Sequence, residues 1–88
     1  DSQLNDAEKY IDKALVIQPQ NPTLLATKAK FWFAKNNTNQ ELDLLDKAIQ
    51  LDSKNVKYLN QKKLIYEYLG DEEKANKMKL KIENLHEE

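Results

Sequence analysis

One phrase occurs twice in this chain. "KALVIQPQNP" runs from Lys13 to Pro22, and "KAIQLDSKNV" runs from Lys47 to Val56, 34 residues later. The same offset sets Asp12 against Asp46, Ile17 against Leu51 and Asn21 against Asn55. Between the phrases it sets Leu25 against Leu59, Phe31 against Ile65 and Trp32 against Tyr66. A second step of 34 brings Lys47 to Lys81, Ala48 to Ile82 and Leu51 to Leu85. A fixed period of about 20–50 residues marks an architecture of stacked units. Identity between the copies is modest, but the apolar positions keep register, and a stacked core depends on those.

Each period reads as two helices. "PTLLATKAKFWFAK" places Leu25, Lys28, Ala29 and Trp32 at helical spacing. Asn21 is suited to cap it, and Pro22 stands where a missing N–H costs nothing. "NQELDLLDKAIQL" follows, with Leu44, Leu45, Ala48, Ile49 and Leu51 as a broad apolar face. Thr38, with Glu41 three residues on, fits a capping box. "VKYLNQKKLIYEYL" is the next first helix, and Gly70 supplies a backbone able to turn left-handed after it. Asp71 caps the last helix, which has Glu72 and Glu73 near its positive end and Ala75, Met78, Ile82 and Leu85 along one face. "NDAEKYIDKALVIQ" (5–18) then reads as a second helix whose first helix is missing.

Composition agrees. Gly occurs once and Pro twice, too few breakers for a strand-rich sandwich. The 40% of hydrophobic residues suffices for a core. With a formal net charge of −1, no strong field favours nucleic acid or an anionic membrane. No apolar run approaches the roughly 20 residues of a spanning helix. No Cys is present, which removes disulfides, thiol nucleophiles and thiolate metal sites without fixing a compartment. The chain begins at Asp1 rather than Met and is read as a processed chain or a fragment of a longer one.

A helix–turn–helix period of this length resembles the tetratricopeptide repeat. Trp32 and Tyr66 match the family's aromatic late in the first helix. Ala7, Ala14, Ala48 and Ala75 match its small residues in the second helix, and Pro19 matches the proline of the turn between units. "LGDEEKA" (69–75) is a turn and restart of the same kind. Several positions depart: Ser53 replaces the proline, Glu41 and Ile82 stand where alanine is usual, and Ala29 and Lys63 replace a glycine. The resemblance implies an all-α, right-handed α-solenoid of antiparallel helix pairs. About two and a half units and five helices are expected in a single domain spanning 1–88: the orphan second helix at 5–18, one repeat at 22–51 and another at 56–86.

The family's usual role is protein–protein interaction, as adaptor or scaffold, with a peptide or helix held in a concave groove lined by the first helices. Carried over residue by residue, the lining is Thr23, Ala26, Lys30 and Phe33, then Lys57, Asn60, Leu64, Glu67 and Tyr68. Phe33 and Leu64 are the expected apolar anchors. In "FWF" (31–33) the three rings cannot share one face, so Phe33 could instead belong to the core. A subfamily grips C-terminal carboxylates with basic and asparagine residues on these helices; Asn60, Leu64 and Ala26 leave that clamp incomplete.

An alternative is self-association. The orphan second helix at 5–18 would leave Leu4, Tyr10, Ile11 and Leu15 partly uncovered, and a second copy could cover them in a homodimer. Catalysis is not expected. His86 is the only histidine, on a terminus beside Glu83, Glu87 and Glu88. Asp43 with Asp46, and Glu72 with Glu73, read as solvated or helix-dipole carboxylates. No phosphate loop or nucleophile motif appears. The lysines at 54, 57, 62 and 63, with Tyr58, Tyr66 and Tyr68 among them, read as a solvated surface rather than a nucleic-acid face. The expected partner is therefore a protein or peptide, with no cofactor, metal, nucleic acid or membrane.

Overall fold

The computed structural model describes residues 2–87, the side chains of Ser2, Leu4 and Glu87 aside. The described residues form five α-helices and no strand: α1 (Ser2–Ile17), α2 (Pro22–Ala34), α3 (Thr38–Leu51), α4 (Val56–Tyr68) and α5 (Glu72–Glu87). Helix α1 begins three residues before the expected 5–18 span. The chain forms two compact units, 1–53 and 54–88.

In the first unit α2 packs on both α1 and α3. Leu25, Ala26 and Ala29 of α2 are buried, as are Glu41, Leu45 and Ala48 of α3. The small side chains Ala29 and Ala48, both fully buried, allow two helix backbones to approach closely. Leu45 is also fully buried, while Leu44 and Ile49 are half-covered and Leu51 lies open at the helix end. Burial of a Leu side chain contributes about 1.5–3 kcal/mol, so Leu45 is one of the strongest single ties in this unit. Two ion pairs add to the α1–α2 contact, Lys28 with Asp12 and Lys35 with Glu8, the latter at 2.6 Å. In the second unit α4 packs on α5, with Tyr58, Leu59, Ile65, Ala75 and Met78 as the buried set. Ile82 and Leu85 continue that stripe half-buried.

The turns repeat more faithfully than the side chains. After α2, Asn36 takes φ 60°, and after α4 Gly70 takes φ 76°. The Asn36 N–H donates to Phe33 O and the Asn37 N–H to Trp32 O; 34 residues on, Gly70 donates to Glu67 O and Asp71 to Tyr66 O. This is the Schellman closure, in which a left-handed residue satisfies the last carbonyls of a helix. Helix starts recur as well. Asn21 Oδ1 accepts from Leu24 N at 3.2 Å, and Asn55 Oδ1 from Lys57 N at 3.0 Å. Asn37 Oδ1 accepts from Gln40 N at 3.2 Å, and Asp71 Oδ1 from Lys74 N at 3.1 Å.

One of these caps differs from the expectation. Asn37, not Thr38, caps α3. The left-handed Asn36 closes α2 in a single residue, so the next residue already stands at the N-cap. Glu41 is then the fourth residue of its helix, at the end of the first turn, and faces inward, only 3% exposed. Its Oε1 has no hydrogen-bond partner, and burial pushes its carboxyl above the ordinary value of 4.5.

Candidate partner-binding faces

The expected lining residues occupy equivalent positions on α2 and α4. Along α2, Thr23, Ala26, Lys30 and Phe33 follow one another at one helical face. Thr23 and Lys30 are exposed and Phe33 is 48% exposed. Ala26 departs from the expectation, being buried at 4%, on a helix that packs on both α1 and α3. The three rings of "FWF" divide, Phe31 and Trp32 half-buried and Phe33 outward. Lys35 lies 5.1 Å from the centroid of the Trp32 ring while it pairs with Glu8, so that end of α2 is electrostatically tied.

Along α4, Lys57, Asn60, Leu64 and Glu67 are all exposed, Leu64 at 54%. Glu67 lies 3.7 Å from Lys63, one turn back, a surface pair of small energetic worth. Tyr68 projects 67% exposed from the end of the helix. Tyr66, equivalent to Trp32, has Lys62 and Lys74 near its ring face at 5.8 and 5.7 Å. Each first helix therefore presents one large apolar side chain with polar groups a turn away. That combination suits desolvation of a partner's apolar group, with hydrogen bonds at the rim.

Open depressions mark the surface formed by the described residues. One of about 340 Å³ is lined by Pro19, Gln20, Leu25, Lys47, Gln50 and Leu51. Another of about 410 Å³, at the α4–α5 turn, is lined by Glu67, Gly70, Glu72, Ala75 and Asn76. Neither brings together a nucleophile and a base. Among the described residues no group of three His, Asp or Glu side chains could hold a metal ion. His86 is exposed, and the Glu88 it might have joined lies outside the described residues, as does the side chain of Glu87. No helix is long and apolar enough to cross a membrane.

The residues expected for self-association divide. Ile11 and Leu15 are half-buried on the side of α1 that carries the Asp12 and Glu8 ion pairs to α2. Tyr10 is 76% exposed. The side chain of Leu4 lies outside the described residues. Sequence reasoning did not single out Val16 and Ile17, which are 84% and 80% exposed at the end of α1. No sequence signal marked Ile17, because its equivalent Leu51 reads as part of an apolar face and is itself 45% exposed.

No protein-family model matches the chain, and no curated protein matches it either.

Proposed function

We propose that this chain is a protein-interaction module of tetratricopeptide type. Its helix pairs are the units of a right-handed antiparallel solenoid, and its first helices hold a peptide or helix of another protein. The resemblance rests on the 34-residue period, and the recurrence of cap and turn hydrogen bonds at that period supports it. One observation carries the binding reading: Phe33 on α2 and Leu64 on α4 stand about half exposed among polar neighbours at the face where the family binds. Half-exposed apolar groups gain when a partner completes their burial, and a few such anchors supply most of the energy of an interface.

The test is selection of random linear peptides displayed on phage against the 88-residue chain. Binding of the enriched peptides is then measured by calorimetry. Phe33→Asp and Leu64→Asp are each expected to weaken binding by tenfold or more, at about 1.4 kcal/mol per decade. Lys79→Glu, on the exposed side of α5, should leave it unchanged. Peptides insensitive to both anchor variants, or no enrichment at all, would overturn the reading.

A further inference from the structure

Helix α1 has two unlike sides. Glu8, Ile11, Asp12 and Leu15 form the side that meets α2, through two ion pairs and two half-buried aliphatic groups. A second stripe, Asp6, Tyr10, Lys13 and Ile17, is exposed throughout. These positions recur at four, three and four residues and so share one face of the helix. Ala7 and Ala14 flank Tyr10 along it. Counted by the 34-residue period, Ala7, Tyr10, Ala14 and Ile17 correspond to Glu41, Leu44, Ala48 and Leu51 of α3. In α3 that register includes the buried Glu41 and Ala48, and α3 packs on α2. The stripe on α1 therefore has the small-and-large pattern of a helix-packing face, with no helix upon it.

The charges on this stripe point to what covers it. Neither Asp6 nor Lys13 has an ion pair among the described residues, whereas Glu8 and Asp12, on the side that meets α2, are matched by Lys35 and Lys28. They lie on the same side of Tyr10, four residues before it and three after. If two α1 helices meet antiparallel with Tyr10 nearest a two-fold axis, Asp6 of one copy falls opposite position 14 of the other. It is then one residue's rise, about 1.5 Å along the axis, from Lys13 of that copy. The symmetry forms the same pair a second time. Ala7 and Ala14 leave room for the two Tyr10 rings to pack side by side.

We propose that a second copy of this chain covers the stripe, forming an antiparallel α1–α1 homodimer with reciprocal Asp6–Lys13 pairs. The proposal is independent of the peptide-binding reading, which uses no residue of α1. A single helix face buries less than the roughly 800 Å² per partner of a standard interface, so the dimer is a weak one of micromolar affinity.

Sedimentation equilibrium of the full 88-residue chain tests it, from low to high micromolar concentration. The wild-type chain is expected to pass from monomer to dimer across that range. Asp6→Lys alone and Lys13→Asp alone should each shift the transition to at least tenfold higher concentration. The double exchange, Asp6→Lys with Lys13→Asp, should restore it. Both substitutions are at exposed positions, and circular dichroism checks that helicity is kept. A wild-type chain that stays monomeric, as it would if only a foreign helix used this face, overturns the proposal. So does a dimer that is indifferent to the single exchanges, or one the double exchange fails to rescue.

Discussion

Glu41→Met should stabilise the protein. Glu41 is 3% exposed, and its Oε1 accepts no hydrogen bond. A buried acceptor without a partner costs about 1–3 kcal/mol. In a unit of three short helices, water is never far away, so the lower half of that range applies. Against it stands the favourable placement of an acid near the start of α3, about 0.3–1 kcal/mol. Methionine is somewhat bulkier than glutamate but flexible, and its helix propensity is similar, so the exchange leaves no cavity and costs little in the backbone. The net gain is about 1 kcal/mol, or a rise in Tm of roughly 4–8 °C for a domain of this size. Alanine, the residue at the equivalent positions 7 and 75, should gain less because it leaves a void. The measurement is urea denaturation followed by Trp32 fluorescence, since the single tryptophan lies in the same unit as Glu41.

The pH dependence gives a second arm to the same experiment. Burial raises the folded-state pKa of Glu41 above 4.5, its value when exposed. Above pH 4.5 the folded protein therefore holds this proton more tightly than the unfolded chain does, and raising the pH favours unfolding. The contribution is fully present below 4.5 and is lost as pH rises through the folded pKa. Other carboxylates superimpose their own trends, so the informative quantity is the difference between variant and wild type. The advantage of Glu41→Met should widen as pH rises from 4 toward 7. A variant that is less stable than wild type, or an advantage that does not change with pH, would refute the argument.

Gly70→Ala should cost about 1–2 kcal/mol in chemical denaturation, because φ 76° is disfavoured for any L side chain. No atom lies within 4 Å of the added methyl, so the cost is one of backbone conformation, and Gly70→Asn should recover part of it. Leu45→Ala and Leu59→Ala each remove a fully buried side chain and should each lose about 2–5 kcal/mol, read in the same melts. On the proposed tetratricopeptide reading, peptides ending in acidic residues should bind weakly or not at all by calorimetry, since exposed Asn60 and Leu64 offer no cationic side chain to a carboxylate.

The helices and their order were legible because the sequence writes them twice. Asn21 before Pro22, Gly70 before Asp71, and apolar residues at helical spacing each name a start, a stop or a face. Several features escaped. Asn36 is left-handed where its counterpart is Gly70, and asparagine is a weaker signal for that conformation than glycine. Missing it shifts the α3 cap by one residue, from Asn37 to Thr38, and turns Glu41 in the reading from a buried side chain into a capping one. Ala26 and Phe33 occupy one face, yet one is covered and the other open. Register fixes direction, but what packs against each position decides exposure. Apart from Ala26, the exposed lining residues of α2 and α4 follow from helical phase. What they bind does not, because the same chemistry of one apolar group and two or three polar ones suits many partners.

The paired caps have a consequence for how such a chain can lengthen. A stretch from Pro22 to Asn55 begins just after one asparagine cap and ends with the next. Within it, the left-handed turn at Asn36 and the Asn37 cap complete the junction of its two helices. A duplicate spliced in after Asn55 would start on a residue already serving as a helix cap and would finish by supplying another. The helix-terminal donors and acceptors met by these caps would be met again in the added copy. The stretch is in this sense a transposable part, whose ends are chemically interchangeable, and elongation by whole units leaves the local grammar of the chain intact.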